Sequence, residues 1–378
     1  MNAKQYLSKA LWLGGCLASM VILLNWVVDP YLLFGSPRIS GVNYYKADIN
    51  NYVRVTKAYQ PLTKPWNTLI VGNSRVEMGL DPNHQCFQDR LVYNLAVPGS
   101  SVKMQLHYAL NLIYQNNIKE IYLSVDFTDF LINQADYDNQ QKSRRLNTIK
   151  RMKYTKYGDK NTKYQWQYLV DNYRSLLSLD ALTSSLKTVI QQIPTASDRT
   201  NSGFNPARDY FTVINTEGAV ALFSQKLPQL ADRLSRPKYL FDKAGNRSIE
   251  FDELAMFLQI AKEKQIRIKV FTNPFHNDYW NLIDQYKLTT KYQQWHQMLL
   301  DVLAAAEHPS LAFWDFANDR RFGNEQPTMV KTKGEALHWF WEPSHYRKPL
   351  GDIMLNVMNQ PYCNTSSEQF GAQLVVNY

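Results

Sequence analysis

Short apolar runs alternate with longer amphipathic segments along much of the chain. Continuous apolar runs of this length predict buried strands, and the longer segments predict helices. The predicted strands are 67–72, 91–97, 120–127, 266–271 and 311–316. The predicted helices are 102–115, 249–265, 282–306 and 349–358. Strands alternating with helices favour an α/β fold with a parallel sheet covered on both faces, and sites in such folds lie at the carboxyl ends of the strands.

This alternation is interrupted between residues 131 and 246. A stretch of that length is too long for a loop in a compact domain, so we predict an inserted, largely helical subdomain or cap. The expected organisation is a cytoplasmic tip and anchor over 1–29, a juxtamembrane segment over 30–66, the α/β domain over 67–130 and 247–378, and the insertion over 131–246.

The longest apolar run, residues 11–28, contains no charged side chain. At about 1.5 Å per residue it reaches about 27 Å, which is enough to cross the hydrocarbon core of a bilayer. Lys4 and Lys9 precede the run, and a positive flank stays in the cytoplasm. We therefore expect a single-pass, uncleaved signal anchor with the main domain outside the cytoplasm, which is the periplasm if the cell is Gram-negative. A cleaved signal peptide is the alternative.

The composition fits one large or two ordinary globular domains. The chain has 378 residues, of which 45% are hydrophobic and 20% are charged. These values exclude a disordered tail, a fibrous repeat and a small disulfide-rich scaffold. A polytopic membrane protein is excluded because the sequence holds one long apolar run only.

The positive charge of the chain is concentrated in residues 142–163. The formal net charge is +9, and this segment holds nine basic residues against Asp159 alone. Either the segment is a solvated helix face, or it contacts anionic lipid headgroups or an anionic glycan. Nucleic acid is not expected as a partner on the exported side of a membrane. The nine residues are Lys142, Arg144, Arg145, Lys150, Arg151, Lys153, Lys156, Lys160 and Lys163.

Two cysteines lie in the exported part of the chain. Cys16 falls in the apolar run, whereas Cys86 and Cys363 would meet an oxidising compartment. A disulfide between them and a pair of buried free thiols are both compatible with the sequence.

The first candidate for chemistry follows the first predicted strand, in the segment Val71-Gly72-Asn73-Ser74-Arg75. A serine at a strand-to-helix turn is presented at the carboxyl edge of the sheet, where Gly72 permits a sharp turn and a close approach of substrate. Ser74 is therefore a candidate nucleophile, and a helix N-cap is its ordinary alternative.

The second candidate is Glu342-Pro343-Ser344-His345, just before the last predicted helix. A carboxylate three residues before a histidine can accept a hydrogen bond from Nδ1–H, which leaves Nε2 free to take a proton from a hydroxyl. A surface histidine is the alternative. A metal site is not expected, because Pro343 breaks any helix that would align His338 with His345 and no cluster of Cys or His supports them.

The order of these two segments resembles that of the SGNH (GDSL-like) hydrolase superfamily. The resemblance covers roughly residues 67–130 and 248–360. The chain resembles most the membrane-anchored extracytoplasmic branch of the superfamily. That branch includes proteins similar to the accessory proteins of alginate O-acetylation and teichoic-acid D-alanylation. This resemblance implies a flavodoxin-like three-layer sandwich around a central parallel sheet. It also implies acyl transfer or ester hydrolysis without a cofactor.

The resemblance assigns a role to each matching residue. Ser74 would be the nucleophile, His345 the base and Glu342 the residue that orients the base. The segment Asn94-Leu95-Ala96-Val97-Pro98-Gly99 resembles the second block of the family, so the N–H groups of Ser74 and Gly99 would form the oxyanion hole. Asn73 and Arg75 would line the site.

Two positions depart from the pattern of the family. Glu342 stands where the usual residue is Asp. In the third block, Ser124-Val125-Asp126-Phe127 replaces Gly-x-Asn-Asp, and an ionised Asp126 would repel an oxyanion. Either another donor replaces the missing asparagine, with Asn273 as the candidate, or Asp126 holds a structural hydrogen bond. His276, in the same loop as Asn273, either lines the site or is an exposed loop histidine.

The function that we expect is that of a membrane-anchored serine O-acyltransferase or esterase acting on a cell-surface glycan. By resemblance, its partner would be a polytopic membrane-bound O-acyltransferase that exports the acyl group. A non-catalytic glycan-binding or scaffold protein of the same complex is the main alternative. A weaker one is a lipid-surface protein that acts through the basic segment.

Overall fold

A computed structural model describes residues 3–138, 147–193, 198–327, 334–360, 363 and 369–374. The described residues form an α/β fold with a mostly parallel central sheet, as the alternation of apolar runs predicts. The strands are β1 (Thr68–Val71), β2 (Val92–Asn94), β3 (Glu120–Val125), β4 (Ile132–Asn133), β5 (Lys238–Tyr239), β6 (Arg267–Thr272), β7 (Leu311–Asp315), β8 (Phe340–Glu342), β9 (His345–Tyr346) and β10 (Ala372–Leu374).

The central sheet has the strand order β10-β7-β6-β3-β1-β2. The first five strands of the sheet in chain order run parallel, and β10 pairs antiparallel with β7 at one edge. The register places Ile70 beside Asn94 and Tyr122, so β1 lies between β2 and β3. The carboxyl ends of β1, β3 and β6 therefore meet at one edge of the sheet, which is where the candidate residues follow them.

The helices connect these strands and flank them. They are α1 (Ala3–Val28), α2 (Val53–Tyr59), α3 (Ser74–Gly79), α4 (Val102–Gln115), α5 (Gln134–Asp138), α6 (Tyr164–Leu177), α7 (Leu179–Ile190), α8 (Arg208–Glu217), α9 (Ala219–Ser235), α10 (Ile249–Glu263), α11 (Asn277–Gln285), α12 (Thr289–Ala305) and α13 (Lys348–Met358). The helix predicted over 282–306 is in fact two helices. Lys287 has a φ of 56° between them, a left-handed conformation that ends α11.

Hydrophobic side chains of the sheet point alternately to its two faces. Leu69 and Val71 of β1 belong to a large core that includes side chains of α4, α10 and α12. Ile70, between them, belongs to a second core with Val76 of α3 and Leu350 of α13. Because both faces are covered by helices, each strand reads as a continuous apolar run in the sequence.

The described part of the insertion is mostly helical and comprises α5 to α9. Strands β4 and β5 pair antiparallel and bring its two ends together, with Asn133 opposite Lys238. In the basic segment, Lys142, Arg144 and Arg145 lie outside the described residues. Arg151 forms two hydrogen bonds with Asp171 at 2.7 and 3.0 Å, so part of the basic segment is neutralised within the fold.

Residues 30–66, expected as a juxtamembrane segment, include α2 and contribute to the large core. Tyr31 and Tyr59 are both buried there. The carboxylate of Asp29 accepts a hydrogen bond from the Leu33 N–H at 2.8 Å, and Lys46 Nζ donates to the Val28 carbonyl oxygen at 2.5 Å. These bonds fix the end of α1 to the segment 30–66, which itself packs into the large core.

Helix α1 is long and apolar enough to cross a membrane. Its most apolar 18-residue window has a mean hydropathy of 2.0, and only 11% of that window is buried. It begins at Ala3, before the charge-free run, and ends at Val28, as the sequence predicts.

Cys86 and Cys363 form a disulfide with a Cα–Cα distance of 5.3 Å. The bridge joins the segment before β2 to the segment after α13. Cys16 on α1 is a free thiol and is exposed.

Candidate active site

Ser74 is the first residue of α3, three residues after the end of β1 at Val71. Asn73 caps this helix, because its Oδ1 accepts a hydrogen bond from the Arg75 N–H at 3.0 Å. Gly72 is required in the turn: a Cβ at this position would lie 2.8 Å from Val76 Cγ2 and 2.9 Å from Ser124 Cβ. The end of β1 thus passes too close to β3 for any side chain, and the close approach directs Ser74 outward.

The structure brings Ser74 and His345 together although 271 residues separate them in sequence. His345 Nε2 lies 2.7 Å from Ser74 Oγ. On the other side of the ring, Nδ1 is hydrogen-bonded to Glu342. Glu342 ends β8 and His345 begins β9, so the tight antiparallel pair of these strands holds the carboxylate and the imidazole together.

The carboxylate of Glu342 is fully buried and remains ionised. Burial favours its neutral form, but the His345 ring and hydrogen bonds from Ser344 outweigh burial and lower the pKa of Glu342. Ser344 donates to this carboxylate from its N–H at 3.1 Å and from its hydroxyl at 2.9 Å. The additional methylene of glutamate is accommodated because Ser344 and His345 both turn back onto the same carboxylate.

Arg75 connects the helix of Ser74 to the segment that carries His345. Its Nε donates to the Ser344 carbonyl oxygen at 3.0 Å, and its Nη1 donates to Asp126 at 3.0 Å. The guanidinium lies over the Phe275 ring, 4.9 Å from the centroid. Arg75 is buried, so these contacts hold it in one place.

Asp126 lies behind the cavity and has a structural role. It accepts hydrogen bonds from Asn73 Nδ2 at 2.6 Å, from Arg75, and from Asn273 Nδ2 at 3.0 Å. The structural hydrogen bond considered for Asp126 from the sequence is therefore present. The carboxylate fixes Asn73 and Arg75 on either side of Ser74.

Asn273, expected as a replacement oxyanion donor, does not lie in the cavity. It is fully buried, and its Nδ2 also donates to Ser124 Oγ at 2.6 Å. Its Oδ1 accepts a hydrogen bond from the Tyr346 hydroxyl at 3.0 Å. Because Asp126 and Ser124 occupy the amide, Asn273 ties β3 to β6 and does not face Ser74.

His276 also lies away from the site and is not an exposed loop residue. It is fully buried, and its Nδ1 accepts a hydrogen bond from the Asp278 N–H at 3.2 Å, which caps α11. Its Nε2 lies 2.7 Å from the Glu325 carbonyl oxygen. Its role is therefore to connect two loops.

The cavity in front of Ser74 has a volume of about 330 Å³. Its lining is mostly polar. The lining residues are Asn73, Ser74, Arg75, Gly99, Ser100, Ser101, Thr128, Asp129, Leu131, Asn133, Arg233, Lys238, Ser344 and His345. Gly99 thus reaches the same cavity as Ser74, whereas Arg233 and Lys238 come from the insertion and were not predicted.

Asp129 is another lining residue that the sequence did not indicate. Burial and the neighbouring carboxylate of Asp126 raise the pKa of Asp129 to about 6, against the opposing effects of Arg75 and of hydrogen bonds from Asn73 and Gln105. Asn73 Nδ2 donates to Asp129 at 2.8 Å. Asn73 therefore holds both carboxylates with one amide group.

Among the described residues, His84, Cys86 and Cys363 form one group whose potential metal-ligand atoms lie within 4.8 Å of one another. The two sulfur atoms are joined as a disulfide, so they are not thiolates that a metal would bind.

In the candidate active site, a hydroxyl, an imidazole and a buried carboxylate lie in a hydrogen-bonded series. The carboxylate fixes the imidazole tautomer, and the imidazole is placed to remove the proton of the hydroxyl. This arrangement can activate Ser74 as a nucleophile.

The sequence was compared with models of protein families and with curated proteins. It matches no family model and no curated protein.

Proposed function

We propose that this protein is a membrane-anchored serine O-acyltransferase or esterase that acts through an acyl-enzyme on Ser74. The observation that carries the proposal is the hydrogen-bonded series from Ser74 through His345 to Glu342, with 2.7 Å between Ser74 Oγ and His345 Nε2. That separation is within the range needed for general-base catalysis.

In the proposed reaction, His345 Nε2 takes the proton of Ser74 as Oγ attacks the carbonyl carbon of an ester. Backbone N–H groups of Ser74 and Gly99 stabilise the oxyanion, and each such donor is worth about 2.7–4 kcal/mol of barrier. The ester C–O bond then breaks, and His345 gives its proton to the departing oxygen. Water or a sugar hydroxyl next attacks the acyl-enzyme and regenerates the Ser74 hydroxyl.

The fold supports the proposed relationship to the SGNH superfamily. Numbered among themselves, the five parallel strands of the sheet lie in the order 2-1-3-4-5, which is the order of flavodoxin-like folds. Ser74 follows the first of these strands, and Glu342 and His345 precede the last helix, α13. This is the order of elements on which the resemblance rests.

The lining of the cavity favours a polar acceptor and a short acyl group. Hydroxyl and amide side chains such as Ser100, Thr128 and Asn133 surround Ser74. Among the described residues that line the cavity, Leu131 is the one with a large apolar side chain. Such a surface suits a glycan better than a long-chain lipid ester. The apolar helix α1 would hold the site at the membrane, where a polytopic O-acyltransferase would supply acyl groups.

A non-catalytic glycan-binding or scaffold role is the second candidate. It is favoured by the absence of a side-chain amide at the expected oxyanion position, because Asp126 stands there and Asn273 is occupied elsewhere. Ser74 would then serve to bind a glycan without turnover.

Trapping of the acyl-enzyme separates these two candidates. The purified full chain is mixed with 4-nitrophenyl acetate, quenched in acid and analysed by intact mass and peptide mapping. The proposal predicts a single acetyl group on Ser74, which is absent from Ser74→Ala and strongly reduced in His345→Ala. Unchanged O-acetylation of surface polysaccharide in cells carrying Ser74→Ala, together with no adduct in vitro, would instead support the scaffold role.

A further inference from the structure

Helix α6 has an apolar stripe on its outer surface. Trp166, Leu169 and Tyr173 are 73%, 60% and 65% exposed, and their spacing of three and four residues places them on one face. The opposite face is polar, since Asp171 and Ser175 are buried. A helix of a water-soluble domain has the reverse arrangement, with its apolar face inside.

Helix α7 has the same inverted arrangement. Leu179 and Ile190 are 78% and 79% exposed, eleven residues apart on one face of the helix. Its buried positions include Ser184 and Thr188. The two helices are consecutive, so together they form a hairpin with apolar side chains outside and hydroxyl groups inside.

The polar inner face of this hairpin is matched by partners in residues 30–66 and elsewhere in the insertion. Asp171 accepts hydrogen bonds from Arg151 at 2.7 and 3.0 Å and from the Tyr59 hydroxyl at 2.8 Å. Ser184 Oγ lies 3.0 Å from Asp48 and 3.2 Å from the Tyr31 hydroxyl. The fold therefore stabilises the hairpin with its apolar stripe facing outward.

The apolar stripe is next to the helix that can cross a membrane. The last turns of α1 contact both α6 and α7, and Asn25 Nδ2 donates to the Leu176 carbonyl oxygen at 2.9 Å. Leu23 and Trp26, in the same turns of α1, are themselves exposed. The outer surfaces of α1 and of the hairpin thus form one continuous apolar region.

Basic side chains border this region. A groove of about 460 Å³ beside Trp166 is lined by Lys150, Lys163 and Arg174. Cationic and aromatic side chains at the edge of an apolar face are typical of helices that lie in the headgroup region of a bilayer, where phosphate groups are anionic.

We propose that the α6–α7 hairpin lies in the interface of the bilayer that α1 crosses, with its apolar stripe among the acyl chains and its basic groove at the lipid phosphates. The occupant of this surface is lipid. The hairpin is then a second membrane contact that fixes the orientation of the domain. This proposal requires α1 to cross the membrane and is independent of the chemistry at Ser74.

Site-directed spin labelling of the full chain in phosphatidylcholine–phosphatidylglycerol vesicles tests the proposal. Cys16→Ala removes the free thiol, the disulfide is kept, and single labels are placed through Leu169→Cys and Ile190→Cys. Gln259→Cys, on an exposed polar position of α10, is the control. Circular dichroism shows whether each variant folds. Because the two labels are on different helices, one folded variant is enough for the test.

Oxygen concentrates in the acyl chains, and a nickel chelate stays in water. At both stripe positions we expect the spin label to collide more often with oxygen than with the chelate. At Gln259→Cys we expect the label to collide more often with the chelate. Equal access of the nickel chelate to all three positions would overturn the proposal, because the stripe would then face water. Exclusion of both reagents from the stripe would also overturn it, because a second copy of the chain would then cover the surface.

Discussion

The guanidinium of Arg75 donates from Nε to the carbonyl oxygen of Ser344 at 3.0 Å. This single bond joins the residue after the nucleophile to the residue before the base. Since Arg75 is also held by Asp126 at 3.0 Å, the separation of Ser74 and His345 depends on a side chain that need not touch substrate.

Arg75→Lys is expected to lower kcat by about 10²-fold, the scale of loss caused by a misplacement of about 1 Å. Lysine retains the charge opposite Asp126, but it cannot donate to Asp126 and Ser344 with a planar fork. The measurement is the rate of acetyl-Ser74 formation from 4-nitrophenyl acetate, with KM and kcat separated. A wild-type rate in a folded Arg75→Lys protein would show that this residue does not position the site.

Gly79 at the end of α3 is expected to be intolerant of any side chain. A Cβ there would overlap the ring of Tyr346, the neighbour of His345. Gly79→Ala should therefore reduce the free energy of unfolding by about 1–3 kcal/mol and weaken the approach of His345 to Ser74. Gly15→Ala, where a Cβ meets nothing within 4 Å, is the matched control; it should leave activity unchanged and should not lower stability, because alanine is the better helix former.

A buried ion cluster behind α3 is expected to be essential for stability. Glu77 pairs with Arg199 of the insertion at 2.9 Å and with Lys57 at 3.4 Å, and burial lowers the pKa of Lys57 to about 8 although Glu77 opposes this shift. Glu77→Ala would leave two buried cations uncompensated, at a cost of about 3–5 kcal/mol in the free energy of unfolding.

The control for this prediction is Asp232→Ala, which breaks the exposed pair with Arg236 and should cost less than about 1 kcal/mol. Denaturant titration of the two variants in detergent gives both values. Equal losses would mean that the buried cluster contributes no more than a surface pair.

The stability of the protein is expected to respond to Asp129 near neutral pH. Burial and Asp126 raise the pKa of Asp129 to about 6 in the folded chain, against about 4 in an unfolded one. A raised carboxyl pKa means that the folded state binds the proton more tightly, so ionisation destabilises it as pH rises from about 4 through about 6.

Asp129→Asn removes that titration. The variant should be more stable than the wild-type chain at pH values above about 6, and this advantage should disappear as the pH falls toward about 4. Thermal unfolding across this range measures it. An advantage that does not change with pH would show that Asp129 titrates with an ordinary pKa.

Local patterns in the sequence predict the sheet and the main site residues. The apolar runs locate β1, β3, β6 and β7 because strands buried on both faces need continuous apolar side chains. Ser74 follows β1 at the edge where parallel strands gather such residues, whereas His345 begins β9 outside the central sheet and is indicated by its spacing from Glu342. The sequence does not indicate that Ser344 donates hydrogen bonds to Glu342, although Ser344 lies between Glu342 and His345. These bonds form only because the turn folds Ser344 back onto the carboxylate.

The rest depends on contacts that no local pattern encodes. Arg233 and Lys238 reach the cavity only because β4 and β5 pair across the insertion. Asn273 follows a strand, as an oxyanion donor would, but buried neighbours occupy its amide. The break at Lys287 has no glycine or proline to mark it, so one long helix was predicted where two occur.

The central claim is that His345 activates Ser74. Reaction of the purified full chain with a fluorescent fluorophosphonate tests it most directly, with Ser74→Ala and Glu342→Gln as variants. We predict labelling of the wild-type chain, none in Ser74→Ala, and much slower labelling in Glu342→Gln because the imidazole is no longer held in its tautomer. Absence of labelling in folded wild-type protein, or labelling that persists in Ser74→Ala, would contradict the account.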